Sequence, residues 1–170
     1  VIWEVKNTGD KEMHFQIGAH PAFYWPDFDA STQERGFFGF DKKEDVKYIL
    51  ISEKGCADPS AEYSLELADG LLPLDIHTFD KDAFILENEQ VHKVTLYTKE
   101  KKACLSLHFH TPVVGLWSPP AKNAPFVCIE PWYGRCDRAH YTGEYKDKDW
   151  MQHLHPDKTF KGGYTIEIEE

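Results

Sequence analysis

The stretch Pro125-Phe126-Val127-Cys128-Ile129-Glu130-Pro131-Trp132 has the pattern of a buried β-strand that contains one carboxylate. Successive strand residues point to opposite faces, so the even-numbered residues, Glu130 among them, share one face, and Val127 and Ile129 share the other. Both faces are apolar, which is typical of a strand inside a packed β structure. An unpaired ionised carboxylate is costly there, so Glu130 is expected either to have a specific partner or to perform a chemical role.

The rest of the chain also shows the alternation of short β-strands. Strands are predicted at residues 1–6, 12–19, 37–40, 46–52, 63–67, 71–76, 91–98, 103–110, 113–117 and 164–168. The composition of residues 21–36 and 53–62 is typical of loops, and one short helix is expected near residues 147–154. Ten or so strands at roughly 8–12-residue spacing predict an all-β sandwich or barrel. No internal repeat or linker divides the chain, so we expect one domain over residues 1–170.

A second ionisable residue interrupts an apolar run in Gly18-Ala19-His20-Pro21-Ala22-Phe23. Residues 1–6 and 12–19 are predicted to form a hairpin around a turn at residues 7–10, which places His20 at the exit of its second strand. The functional question is whether His20 and Glu130 meet.

Composition argues against several classes of partner. The chain has 29 acidic and 19 basic residues and a net charge of −10, a field that repels nucleic acid and anionic membranes and weakly disfavours a phosphorylated sugar. No apolar run approaches the roughly 20 residues of a membrane span, and no signal peptide is expected. Four cysteines show no C-x-x-C pair, so we expect reduced thiols in a cytoplasmic protein.

Nine histidines raise the question of a metal site. His108-x-His110 and His153-x-His155 each place two imidazoles on one face of a strand. The segment after His110 lacks the carboxylate of a cupin-like site, and solvent-facing strand residues produce this spacing by chance. A metal-dependent isomerase therefore ranks last among the hypotheses, and no metal or other cofactor is expected. The chain also lacks a G-x-S-x-G elbow and a Gly-rich phosphate loop.

General acid–base chemistry remains, because it uses groups such as His and Glu with pKa values near neutrality. Desolvation in an apolar strand would raise the pKa of Glu130, which suits a base, and His20 is the candidate acid. The alternatives are an ion pair of Glu130 with Arg135 or Arg138, and a hydrogen-bonded histidine at a strand end. Four aromatic residues near these groups suit either a sugar ring or the core: Trp25, Trp117, Trp132 and Tyr133.

Three segments resemble the aldose 1-epimerase (galactose mutarotase-like) family, in particular its bacterial branch associated with lactose or tagatose utilisation. They occur in the family's order, and the similarity runs from residue 1 to the final strand. Because family members have a long N-terminal portion before these segments, the chain is expected to correspond to their C-terminal part. The segments are Phe15-x-Ile17-Gly18-Ala19-His20-Pro21-Ala22-Phe23, Gly115-Leu116-Trp117-Ser118 and Phe126-Val127-Cys128-Ile129-Glu130-Pro131-Trp132-x-Gly134.

The resemblance implies a large antiparallel β-sandwich that acts on an aldohexose without a metal. Glu130 would take the proton of the anomeric hydroxyl while His20 protonates the ring oxygen, and closure after rotation about C1–C2 would give the other anomer. Asp82 would bind sugar hydroxyls, with Asp80 the weaker candidate, and Trp117 would line the site. The alternative is a carbohydrate-binding or sugar-sensing module on the same fold with little turnover.

Overall fold

The computed structural model describes residues 1–169, without the side chain of residue 53. These residues form fifteen strands and two 3₁₀ helices, Glu53–Gly55 and Tyr145–Asp147, and no α-helix. Neither helix is long and apolar enough to cross a membrane. The strands are β1 Ile2–Lys6, β2 Met13–Phe15, β3 Ile17–Gly18, β4 Ala22–Tyr24, β5 Glu34–Phe40, β6 Lys47–Ile51, β7 Ala57–Ser64, β8 Leu71–Asp75, β9 Phe84–Glu87, β10 Lys93–Tyr97, β11 Ala103–Phe109, β12 Val113–Trp117, β13 Phe126–Tyr133, β14 Gln152–Leu154 and β15 Thr159–Ile168.

Two large antiparallel sheets form a sandwich. The first sheet has the order β1-β15-β11-β10-β5-β8, and the second has the order β3-β13-β12-β9-β6-β7, with β4 also paired to β13. The main hydrophobic cluster takes residues from both sheets, for example Phe38 and Leu107 from the first and Leu116 and Ile129 from the second. The core therefore lies between the sheets, and the predicted all-β antiparallel sandwich is confirmed.

Strand β13 separates the core from a second apolar cluster on the outer face of its sheet. Val127 and Ile129 have no exposed surface and pack in the core. Glu130 lies on the opposite face, across from Gly115 of β12. Trp132 packs against the second cluster on that same face. The two-faced strand predicted from the sequence is thus present.

The predicted hairpin at the start of the chain is wrong. Residues 12–19 form two short strands with different partners, since β2 pairs with β14 and β3 pairs with β13. Strand β1 pairs instead with β15, near the other end of the chain. The turn after β1 is held there by Asn7, a buried residue whose side-chain amide donates to the carbonyls of Lys11 and Leu154.

Three further segments differ from the predictions. The two expected loops contain strands, namely β4 and the start of β5 within residues 21–36, and most of β7 within residues 53–62. Strand β7 is at an edge of the second sheet, where polar residues are common, so its composition conceals it. The expected helix near residues 147–154 is instead the end of a 3₁₀ turn followed by β14. Trp150 has a φ of 61°, which a right-handed helix does not allow.

The glycine at position 115 makes room for the Trp132 indole. A Cβ built on Gly115 would lie 2.6 Å from Cζ2 of Trp132, so Gly115→Ala must displace the ring. Overpacking of this kind typically costs about 1–3 kcal/mol. We expect a loss of that size in the free energy of unfolding, measured by denaturant titration. The same substitution in a Trp132→Phe background should cost less, and an equal cost in both backgrounds would contradict the assigned packing.

Candidate active site

A cavity of about 640 Å³ opens on the outer face of the second sheet. One wall is formed by Gly18 at the end of β3 and by the next two residues, Ala19 and His20. Glu130 and Trp132 of β13 and Trp117 at the end of β12 also line the cavity. Pairing of Gly18 with Trp132 brings the β3 segment alongside β13, and the Ala19 N–H donates to the Pro131 carbonyl at 3.1 Å. The residue after Ala19 is therefore held beside Glu130.

The two ionisable residues singled out in the sequence meet in this cavity. Nε2 of His20 lies 3.3 Å from Oε1 of Glu130. The Glu130 side chain is 4% exposed and the His20 side chain is 60% exposed, so the carboxyl is at the bottom and the imidazole is at the entrance. The His20 ring stands edge-on to Trp117, with centroids 5.6 Å apart.

The alternative ion pair of Glu130 with an arginine is wrong for the described part of the chain. Arg135 contacts Glu87 and Asp149, and Arg138 contacts Asp149. Glu130 has only His20 among its recorded ion-pair contacts. A buried carboxyl group without a permanent cation is therefore present in this cavity.

Burial determines the protonation of Glu130. Desolvation raises its pKa to about 8, the nearby indole N–H of Trp132 partly opposes the rise, and the charge of Asp82 adds to it. Trp132 itself donates this N–H to the Ala19 carbonyl at 3.2 Å. A carboxyl with such a pKa holds its proton at neutral pH but releases it at small cost, directly beside an imidazole that can accept it.

Of the two candidate aspartates, only Asp82 lines the cavity. Oδ1 of Asp82 accepts the Ala83 N–H at 2.7 Å, and no hydrogen bond to Oδ2 is recorded among the described residues. Asp80 is outside the cavity lining and contacts His77 at 2.9 Å. The backbone at Asp82 has a φ of 73°, and this sharp turn places its carboxylate on the cavity wall.

The four aromatic candidates divide between site and core. Trp117, Trp132 and Tyr133 line the cavity. Trp25 is 2% exposed, belongs to the main core, and donates its indole N–H to the Ala124 carbonyl. Sequence proximity to Glu130 did not distinguish these two environments.

One polar network of the cavity wall was not predicted from the sequence. The guanidinium of Arg135, 2% exposed, donates to Glu87 at 2.5 Å and to Asp149 at 2.7 Å. The Trp150 indole N–H donates to the same Glu87 oxygen at 2.6 Å, and Gln16 donates to the Asp149 carbonyl. These partners come from separate parts of the chain, so no local pattern reveals them. In the sequence, the charged residues that flank the apolar strands were the available indication of such a network.

The metal hypothesis for His108 and His110 gains no third ligand within the described residues. His108 contacts Glu167 at 2.7 Å, and the His110 ring packs on His92. In the cavity, Cys128 offers a sulfur within 4.8 Å of the ligand atoms of His20 and Glu130. Burial raises the pKa of the Cys128 thiol to about 12, and the nearby charge of Glu130 adds to the rise, so this group is a neutral thiol at neutral pH.

Comparisons with known proteins agree with the fold. A galactose mutarotase related enzyme from Lactobacillus acidophilus superposes with a TM-score of 0.87 at 30% identity, over 99% of this chain and 56% of that one. A galactose mutarotase-like protein from Lactobacillus casei gives 0.86 at 23% identity, over 99% and 58%. The chain has a galactose mutarotase-like fold. The resemblance inferred from the three sequence segments is thereby confirmed.

Curated relatives give the same picture at the level of sequence. The plasmid-encoded and chromosomal forms of protein LacX from Lactococcus lactis subsp. lactis are each 29% identical over 161 residues, which is 94% of this chain and 54% of theirs. No protein-family profile matches the chain. The galactose mutarotase-like chain described here spans about half the length of the relatives it matches.

The buried carboxyl of Glu130 should make the free energy of unfolding depend on pH. In an unfolded chain the pKa of Glu130 would be near its ordinary value of 4.5, whereas in the folded chain its pKa is about 8. Between these values the folded state binds more protons, so the contribution of Glu130 to the free energy of unfolding is complete below about pH 4.5 and is lost as the pH rises towards 8. The total loss is up to roughly 5 kcal/mol.

Denaturant titrations at several pH values measure this decline in the free energy of unfolding. Glu130→Gln cannot ionise, so its free energy of unfolding should lack this decline relative to the wild type. Glu167→Gln, which removes an exposed carboxylate, is the matched control and should keep the decline. Parallel pH profiles for the wild type and Glu130→Gln would show that Glu130 is not desolvated as described.

Proposed function

We propose that this chain provides the acid–base pair of an aldose 1-epimerase, an isomerase that interconverts the α and β anomers of a hexose. The observation that carries the proposal is the 3.3 Å contact between His20 and the buried Glu130 in a cavity of suitable size. The galactose mutarotase-like fold and the likeness to a galactose mutarotase related enzyme support it.

Ring opening requires two proton transfers in opposite directions. With Glu130 ionised and His20 protonated, the Glu130 carboxylate takes the proton of the anomeric O1–H. His20 donates its proton to the ring oxygen O5 as the C1–O5 bond breaks, and the electron pair of that bond goes to O5. The products are an open-chain aldehyde, a neutral Glu130 and a neutral His20.

Ring closure reverses these roles. After rotation about C1–C2, O5 attacks C1 from the other face and returns its proton to His20, while O1 recovers a proton from Glu130. The pair holds one proton before and after the cycle. A Glu130 pKa of about 8 suits this exchange, because acid–base catalysis is most effective when the pKa of the group is near the working pH.

Other cavity residues suit a neutral sugar. Asp82 presents a carboxylate oxygen that can accept hydrogen bonds from sugar hydroxyls, and the Trp117 ring offers an apolar surface to sugar C–H groups. Arg135 is the arginine of the cavity lining, and its guanidinium is already engaged by two carboxylates. The described residues of the cavity therefore favour an unphosphorylated substrate over a phosphosugar.

A second candidate function is a sugar-binding or sugar-sensing module without turnover. It is favoured by the groups of the cavity that suit a sugar, Asp82 and Trp117, because they would hold a sugar whether or not it is turned over. It predicts that a hexose binds in the cavity and that Glu130→Gln leaves binding intact, with no acceleration of anomer exchange by the wild type.

Polarimetry on freshly dissolved α-glucose and α-galactose distinguishes these functions. We expect the wild type to accelerate the approach to anomeric equilibrium, and Glu130→Gln and His20→Asn each to lower the catalysed rate by about 10²–10⁴-fold. The matched controls are His108→Asn and Glu167→Gln, which alter an exposed His–Glu pair on the other sheet and should keep the wild-type rate.

Sugar binding is measured in parallel by tryptophan fluorescence and compared with the rate of anomer exchange. Binding without acceleration favours the module. Acceleration that Glu130→Gln and His20→Asn leave unchanged would contradict the assignment of the acid–base pair.

A further inference from the structure

The small sheet formed by β2 and β14 carries a surface cluster of three histidines and one glutamate, here called the histidine cluster: Glu12, His14, His153 and His155. His14 and His153 are directly opposite each other in the two strands. His155 follows His153 by two residues, and residues spaced by two along a strand direction share a face. Pairing of distant parts of the chain therefore joins the His153-x-His155 motif to a third imidazole.

The Glu12 carboxylate lies within 4 Å of a nitrogen of each of the three rings. Nδ1 of His14 lies 3.0 Å from Nδ1 of His153, with the ring planes at 77°. Oε2 of Glu12 lies 3.8 Å from Nε2 of His14 and 3.9 Å from Nδ1 of His153. Oε1 of the same carboxylate lies 3.2 Å from Nδ1 of His155. Three potential ligand groups, those of Glu12, His14 and His153, thus lie within 4.8 Å of one another, and His155 stands beside the same carboxylate.

We propose that the histidine cluster is a binding site for a divalent transition-metal ion, with Zn²⁺ as the best fit. Zinc binds imidazole nitrogen and carboxylate oxygen at about 2.0–2.2 Å in a tetrahedral arrangement, which corresponds to ligand–ligand separations of about 3.3–3.5 Å. Oε2 of Glu12 lies 3.8 Å from Nε2 of His14 and 3.9 Å from Nδ1 of His153, and one ligand atom from each of the three residues lies within 4.8 Å of the others. Rotation of these exposed side chains by about an ångström at their tips would bring the ligand atoms to the coordination geometry.

The spacing within the cluster differs from that of an ordinary ion pair. His77 with Asp80 and His108 with Glu167 each place one imidazole in direct contact with one carboxylate, at 2.9 and 2.7 Å. In the cluster the carboxylate stands 3.8–3.9 Å from the His14 and His153 nitrogens, too far for a hydrogen bond. The carboxylate therefore stands at a distance from these two nitrogens that leaves room for an ion, and a bound ion would replace the 3.0 Å hydrogen bond between the His14 and His153 rings.

The surroundings favour a cation. The chain has a net charge of −10, which raises the local concentration of cations. The side chains of the cluster are 22–75% exposed, so an ion reaches them directly from solvent. The β2–β14 sheet has only three residue pairs, and a bound ion would join its strands. Strand β2 leads into β3 and His20, so the ion would stiffen one support of the cavity without taking part in its chemistry.

Calorimetric titration of the chelator-treated protein with zinc chloride tests the site. We expect one Zn²⁺ per chain, with the affinity lowered at least about tenfold in His14→Ala and in His153→Ala. His77→Ala, which removes an exposed histidine beside a single carboxylate, is the matched control and should keep the wild-type affinity. Zinc should also raise the thermal unfolding temperature of the wild type but not of His153→Ala, because only the folded wild type holds the ion.

Three results would overturn the proposal. They are the absence of saturable zinc binding by the wild type, unchanged affinity in both cluster variants, and an equal loss of affinity in His77→Ala. Thermal unfolding without zinc identifies a variant that fails to fold. His153→Gln, which keeps a polar side chain of similar size on the exposed strand, then replaces that variant and must show the same loss of affinity.

Discussion

The burial of one carboxyl group, that of Glu130, is the constraint on which the rest of the site depends. Strand β13 is apolar on both faces because one face packs in the core between the sheets and the other supports the outer cluster. Removing a carboxylate from water in that setting is costly, so the group keeps its proton until about pH 8. The same packing that stabilises the sandwich therefore provides a proton donor and acceptor near neutrality.

The position of His20 follows from backbone pairing. Strand β3 is only two residues long, yet its pairing with β13 and the Ala19–Pro131 hydrogen bond bring the next residue to Glu130. The Trp132 ring fills the space between these segments, and Gly18 and Gly115 accept it, since a Cβ at either position would overlap the indole. Packing of Gly18 and Gly115 against the Trp132 ring therefore helps to hold His20 beside Glu130.

Sequence reasoning found the features that depend on local alternation. It predicted the all-β class, the two faces of β13 and the strands that become β10 and β11, since each is determined by neighbouring residues. It failed where pairing is long-range, as for β1 with β15 and β2 with β14. The left-handed backbone at Trp150 and the network around Arg135 are also determined by tertiary contacts, which periodicity does not encode. For the site, alternation and the expected desolvation of Glu130 indicated an acid–base role with His20, and the family resemblance added the reaction and the sugar-binding role of Asp82.

The protonation state of Glu130 in the folded protein is the most direct test of this account. The carboxyl carbon of glutamate can be followed by NMR in protein labelled with ¹³C at that position, and Glu130→Gln identifies the Glu130 signal. We expect a titration midpoint near pH 8 for this signal. A midpoint near 4.5, the value of a solvated glutamate, would show that Glu130 is an ordinary carboxylate and would contradict the central claim.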